Sequence, residues 1–122
     1  MALYTQHPTY KIAQAGHTFV VGNLVYHNGV QFALASASNA ALAEVAGMVV
    51  DVTPGEFTIG VGGVITGLTG IIPGAVYFLS AVSPGTYTTT EPSSAGHTSK
   101  PIMIGINSTA CIFTNHRGIV LN

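Results

Sequence analysis

Apolar and polar residues alternate along this chain in short runs that glycine and proline interrupt. The clearest run is "NLVYHNGVQFALA", in which Asn28-Gly29 separates two apolar segments. Asn and Gly tolerate the positive φ angles of a two-residue type I′ turn, so this run predicts a β-hairpin. The next run, "GMVVDVTPGEFTIGVGGVITG", predicts three strands with turns at Pro54-Gly55 and Gly62-Gly63.

The second half of the chain repeats this pattern. Pro-Gly pairs follow Thr53, Ile72 and Ser83. Proline at the second position and glycine at the third position of a turn favour type II. Further strands are predicted over Ala75–Leu79, Pro101–Ile106, Ala110–Thr114 and Gly118–Leu121.

Helix signals are weak, since fifteen glycines and six prolines leave few windows for a long helix. The best candidate is Ser36–Gly47, which allows two turns at most, with Ser38 or Asn39 as the cap. The alternative is a loop that leads into a strand at Ala46. Short strands with turn signals every 8–12 residues or so predict an all-β fold, a single small β-sandwich or β-barrel of antiparallel strands.

Two segments follow from the pattern. Residues 1–15 are predicted to form an extended N-terminal arm, and residues 16–122 the β-sandwich or barrel domain. Aromatic side chains on a polar arm are candidate anchors on a partner, and the alternative is an arm that is unordered in the free protein. The arm residues predicted to contact a partner or another subunit are Leu3, Tyr4, Tyr10 and Lys11.

Charge is scarce in this chain. Charged residues make up 6% of it, whereas about 25% is usual, and the formal net charge is −1. A nucleic-acid partner needs a clustered basic face, so we expect neither nucleic acid nor an anionic membrane as partner. Either neutral polar side chains cover the surface or other subunits do, and we favour the second. No secretory signal or membrane-spanning helix is predicted.

No motif predicts catalysis, a cofactor or a metal. The five histidines do not pair at short spacing, and the single cysteine, Cys111, lies in the apolar run "TACIFT" and is predicted to be buried. Glu44, Asp51 and Glu56 lie close in sequence, but Asp51 and Glu56 flank a predicted turn and are expected to keep it solvated. "GVGG" precedes a strand, whereas a phosphate-binding loop precedes a helix.

The stretch from Gly16 to Leu121 resembles a β-rich module that recurs in tailed-bacteriophage virion proteins. The resemblance lies in "AGHTFVVGNLVYHNG", "AEVAGMVVDV", "FTIGVGGVITGL", "GIIPGAVYFLS", "SPGTYTTTEPSSAG" and "SKPIMIGI". It implies a small β-sandwich or barrel that is typically trimeric and has no enzymatic activity. Such modules occur in capsid decoration (cement) proteins and in tail or head fibre proteins.

The resemblance implies a decoration protein that is made in the host cytoplasm and binds the outer surface of the assembled head, where it bridges subunits of the major capsid protein. A chain with Met1, one arm and one module favours this role, because fibres usually carry shaft or tip segments. Deleting residues 1–15 is expected to weaken shell binding and to leave the β-fold intact. The alternative is a short fibre that binds a host receptor, with the loop Thr86–Thr90 as its first candidate.

Overall fold

A computed structural model describes residues 2–122, and these residues form an all-β fold, as predicted. One short 3-10 helix, Ala41–Ala43, interrupts the succession of strands. The strands are β1 Tyr4–Thr5, β2 Thr9–Ala13, β3 Leu24–His27, β4 Phe32–Leu34, β5 Gly47–Thr53, β6 Glu56–Gly60, β7 Gly63–Thr66, β8 Val76–Leu79, β9 Tyr87–Thr88, β10 Thr98–Ser99, β11 Pro101–Asn107, β12 Ala110–Phe113 and β13 Ile119–Val120.

The strands form two main antiparallel sheets and a small ribbon. The six-stranded sheet has the order β1-β7-β12-β11-β8-β9, and the five-stranded sheet has the order β2-β6-β5-β3-β4. Strands β10 and β13 pair as a separate ribbon. One buried cluster unites Leu24 and Met48 of the five-stranded sheet with Ile65, Met103 and Phe113 of the six-stranded sheet. The main core therefore lies between the two sheets, which makes the fold a β-sandwich.

A second, smaller core lies on the other side of the five-stranded sheet. Successive residues of a strand point to opposite faces, so Val49 points away from the main core while Met48 points into it. Val49 packs with Phe57 and with Phe19, a residue of the loop between β2 and β3. The Phe19 and Phe57 rings meet edge to face, with their centroids 4.9 Å apart. The loop before β3 thus covers the outer face of this sheet.

The predicted extended arm is not confirmed, because residues 4–13 supply edge strands to both sheets. Strand β1 pairs with β7, and β2 pairs with β6 along its full length. Leu3 is buried, and its N–H donates to the carbonyl oxygen of Val50 at 2.8 Å. Strands β1 and β2 thus form one edge of each main sheet. The local sequence pattern did not predict this, because it does not reveal where a sheet lacks a strand.

The predicted hairpin at Asn28-Gly29 is confirmed, but its two-residue type I′ turn is wrong. His27 pairs with Phe32, which leaves a four-residue loop from 28 to 31. The Asn28 side-chain oxygen accepts hydrogen bonds from the N–H groups of Val30 and Gln31, both at 2.9 Å. This side-chain cap stabilises the longer loop at the expense of the tight turn.

The Pro-Gly turns lie where the sequence pattern places them. Gly55, Gly74 and Gly85 have φ angles of 85°, 79° and 78°, close to the value that a type II turn requires at this position, so the Pro-Gly turns are confirmed.

The two-turn helix over residues 36–47 is wrong. This stretch is mainly loop and leads into β5, as the alternative stated, and the Asn39 side chain accepts from the N–H of Leu42 at 3.0 Å.

Candidate functional site

The outer face of the six-stranded sheet carries a row of apolar side chains. Val64 of β7 lies opposite Ile112 of β12, Ile112 lies opposite Ile104 of β11, and Ile104 lies opposite Val76 of β8. The exposed fractions of the four side chains are 43%, 41%, 40% and 41% in that order. We call these four residues the outer apolar row. Directly opposed side chains in antiparallel strands are neighbours, so the row is continuous across four strands.

Strand alternation turns the outer apolar row away from the core. The neighbouring residues Ile65, Cys111, Met103 and Tyr77 are all buried in the main core. Because side chains alternate between the two faces of a strand, burial of these four residues directs the row outward. Antiparallel sheets with one solvated face usually carry polar residues there. An apolar outer face is therefore evidence for a contact surface.

This face also lacks charge. None of the residues in the six strands of this sheet is Asp, Glu, Lys or Arg. The five-stranded sheet differs, because its strands contain Lys11, Asp51 and Glu56. The five-stranded sheet is also the one whose outer face the chain covers with its own loop. The protein thus closes one outer face and leaves the uncharged one open.

His17 holds the loop between β2 and β3 against the five-stranded sheet. Its Nε2 lies 2.8 Å from the carbonyl oxygen of Thr53 and 2.7 Å from that of Glu56, at the end of the β5–β6 hairpin. The N–H of Phe19 donates to His17 Nδ1 at 3.2 Å, so the proton of the neutral ring belongs on Nε2. The imidazole also packs edge to face on Phe57, with ring centroids 5.4 Å apart. His17 therefore serves the fold of the second core.

A second surface runs along the edge strands β1 and β2. Tyr4 and Tyr10 are 69% and 56% exposed, and Lys11 is exposed as well. We call residues 4–11 the N-terminal edge. Beside β1 an open groove of ≈ 520 Å³ is lined by Tyr4, Thr5, Gln6, His7, Val64 and Thr66. The groove joins the N-terminal edge to the outer apolar row at Val64.

The predicted contact residues separate into two groups in the structure. Leu3 is buried in the main core, so its side chain is not available to a partner, and its prediction as a contact residue is corrected on that ground. Tyr4 belongs to an edge of the six-stranded sheet, whereas Tyr10 and Lys11 belong to an edge of the five-stranded sheet. These three residues remain predicted contacts.

Sequence reasoning missed the outer apolar row. Its strands "GVIT", "VYFL", "PIMIGIN" and "ACIF" are apolar at nearly every position. Such runs normally indicate strands that are buried on both faces. The signal was therefore present, but it indicates burial without saying whether the chain itself or another molecule covers the second face.

Within residues 2–122, no three His, Cys, Asp or Glu side chains are grouped so that they could hold a metal ion. Lys100 is buried beside the β10–β13 ribbon, and burial lowers its pKa, with Glu44 raising it and Arg117 lowering it further. Across the same residues, no helix is both long enough and apolar enough to cross a membrane.

Cys111 is buried as predicted, and we expect its thiol to be unreactive in the folded protein. Burial raises the pKa of Cys111 from its ordinary value of 9.0 to about 11. Because the thiolate is the reactive form, two pKa units correspond to about a hundredfold less nucleophile at neutral pH. Modification by a thiol reagent should therefore be at least about a hundredfold slower in buffer than in urea. The double variant Cys111→Ser/Ile112→Cys should react in the folded state, and equal rates for the folded and unfolded wild type would contradict this expectation.

Comparison of the chain with models of known protein families, with curated proteins and with solved structures found no match.

Proposed function

We propose that this protein is a non-enzymatic structural component of a tailed-phage virion, a decoration protein that binds the outside of the assembled head. The observation that carries the proposal is the open, uncharged outer face of a small β-sandwich that covers its opposite outer face by itself. Such a surface is typical of a protein that works in contact with other subunits. The resemblance of Gly16–Leu121 to phage virion modules supports the same role.

In this role the protein stabilises the shell by mass action. A ligand that binds the assembled shell and not its dissociated subunits lowers the free energy of the assembly. At a hundredfold excess of free ligand over its dissociation constant, each occupied site contributes about 2.7 kcal/mol. Many weak sites around a shell therefore add up to a large effect. The partners are the major capsid protein and further copies of this chain, for which the resemblance implies a trimer.

The N-terminal edge is the surface that we assign to the shell. Tyr4 and Tyr10 expose large aromatic side chains that combine an apolar ring with a hydroxyl group, and such residues often dominate binding energy at interfaces. Lys11 provides a positive charge beside Tyr10. Strands β1 and β2 are also sheet edges, so each presents unpaired backbone groups to a neighbour.

Replacing the three exposed contact residues should weaken head binding. We expect the triple variant Tyr4→Ser/Tyr10→Ser/Lys11→Ser to bind at least about tenfold more weakly, since truncation of an interface aromatic commonly costs more than 1 kcal/mol. The measurement mixes purified protein with heads that lack it, pellets the heads and counts bound copies. Wild-type protein should saturate at a fixed ratio to the major capsid protein and raise the temperature at which the heads break.

A matched control is Val30→Ser, on the loop between β3 and β4. Val30 is 87% exposed, and β4 is the edge strand opposite β2 in the five-stranded sheet. This variant should bind heads as the wild type does. Heads that take up no wild-type protein would overturn the decoration role, whereas equal binding of the triple variant would overturn only the assignment of the N-terminal edge.

Receptor binding by a fibre is the second candidate, and one groove favours it. The groove measures ≈ 290 Å³, and its lining includes Thr88, Thr90, Glu91 and His97. The Tyr87 ring packs edge to face on Tyr77 at 5.4 Å and is half-buried, so it does not offer an open stacking surface for a sugar. If heads bind no protein, binding to host cells is the next measurement.

A further inference from the structure

The outer apolar row has the same profile when read from either end. From β7 to β8 it is Val64, Ile112, Ile104 and Val76. We propose that this face binds a second copy of the same chain, in a two-fold dimer in which the two six-stranded sheets pack face to face. The inference replaces the trimer that the resemblance implies with a dimer; it is argued from the row alone and does not require a phage head.

A two-fold axis would bring like residues of the two rows together. In a face-to-face dimer the axis lies in the contact plane, so the same patch of each copy meets its equivalent. With the axis along the strands, Val64 faces the second copy's Val76, and Ile112 faces its Ile104. With the axis across the strands, each residue faces its own equivalent. The first arrangement matches valine with valine and isoleucine with isoleucine because the profile is symmetric, whereas the second pairs like residues on any face. A ring of three brings two different patches together and makes no use of this match.

The charge pattern also indicates a second copy. A charged side chain buried against this face would lose its hydration, and no residue of the six strands could supply an opposite charge. An occupant must therefore present an uncharged apolar surface. This chain has such a surface in the outer apolar row itself. Aligned sheet-on-sheet packing, in which apolar side chains interdigitate at a separation of about 10 Å, is a common arrangement of β-sheets.

The area of the outer apolar row determines how stable the dimer is expected to be. Three inter-strand spacings of about 4.8 Å make the row roughly 14 Å long. Ile106 on β11 extends the apolar surface and is 42% exposed. A face of a few hundred Å² is smaller than the roughly 800 Å² per partner of a standard stable interface. We therefore expect a reversible dimer whose population depends on concentration. The main core is complete within one chain, so the monomer should remain folded.

The experiment measures mass in solution. Sedimentation equilibrium of the wild-type chain, from low-micromolar to near-millimolar concentration, should show a mass that rises from that of one 12.5 kDa chain to twice that value. The variant Ile104→Asp/Ile112→Asp should raise the dissociation constant at least about tenfold, because each contact would then bury unpaired carboxylates. The control Val30→Asp adds a single carboxylate at a residue that is 87% exposed on a loop, and it should dimerise as the wild type does.

A second variant keeps the test valid if the aspartates disturb folding. Ile104→Thr/Ile112→Thr retains β-branched side chains, which suit a strand, and should weaken the dimer with unchanged circular dichroism. A wild type that is monomeric at every concentration would overturn the inference. A mass of three chains, or face variants that associate like the wild type, would overturn it equally. A wild-type protein that dimerises but does not bind heads would count against the decoration role alone.

Discussion

Deletion of residues 1–13 is expected to destabilise the fold severely, by about 4 kcal/mol or more. The deletion removes Leu3 from the main core, where it is 6% exposed, and it removes the pairing of β2 with β6 along five residues. Emptying a buried leucine site alone commonly costs about 2–5 kcal/mol, and small domains have only about 5–15 kcal/mol in total. The truncated chain should unfold at a much lower urea concentration, as followed by circular dichroism.

The double variant Tyr4→Ser/Tyr10→Ser is the control for this deletion. It keeps Leu3, the backbone of β1 and the backbone of β2, and it changes only side chains that are 69% and 56% exposed. Its urea midpoint should stay close to that of the wild type. A truncated chain with an unchanged midpoint would restore the extended arm that the sequence pattern predicts, since an arm can be removed without loss of stability.

Gly105→Ala should be the most destabilising of the small substitutions, at about 2–4 kcal/mol. A Cβ atom at position 105 would collide with the carbonyl oxygen of Ile72 and would lie 2.8 Å from Ile71 Cγ2. The strand cannot shift away easily, because the N–H of Gly105 donates to the carbonyl oxygen of Ala75 at 2.9 Å and its carbonyl oxygen accepts from Gly74 at 2.8 Å. Ile72 is held in turn, since its N–H donates to the Tyr77 hydroxyl at 3.0 Å.

Gly62→Ala provides the matched comparison for Gly105→Ala. At position 62 the nearest atom to an added Cβ is 3.9 Å away, and Gly62 does not have a positive φ. We expect its free energy of unfolding to change by no more than about 0.5 kcal/mol. Both free energies can be obtained from urea unfolding curves. Equal stability of the two variants would mean that the segment from Ile71 to Ala75 does not rest on β11 as described.

Local chemistry in the sequence was enough to predict much of the fold. Gly and Pro limit helices and mark corners, and the Pro-Gly pairs adopt the turn geometry expected of them because the φ preferences of these two residues are intrinsic. Four strands after residue 75, namely β8, β11, β12 and β13, were predicted closely for a similar reason, since β-branched and aromatic residues recur between turn signals. The two-residue strands β9 and β10 were not predicted. Burial of Cys111 followed from its apolar neighbours.

One of the errors is local, and the others arise from contacts between distant parts of the chain. The loop after His27 is longer than predicted because the Asn28 side chain caps it. Residues 4–13 form strands because two sheet edges were available to them, and neither edge is visible in the local pattern. The site was missed for the same reason. A strand that is apolar on both faces indicates burial, and only the arrangement of the sheets shows that one face of β7, β8, β11 and β12 lies outside.

Composition and the order of apolar and polar residues thus determined the class of fold, its Pro-Gly turns, the burial of Cys111 and the scarcity of charge, because each of these depends on local preferences or simple counts. The tertiary structure alone decided that the chain covers one outer face with His17 and Phe19 and leaves the outer apolar row open. That outcome depends on which strands pair and on which loop folds over which sheet, and contacts between residues far apart in sequence decide both.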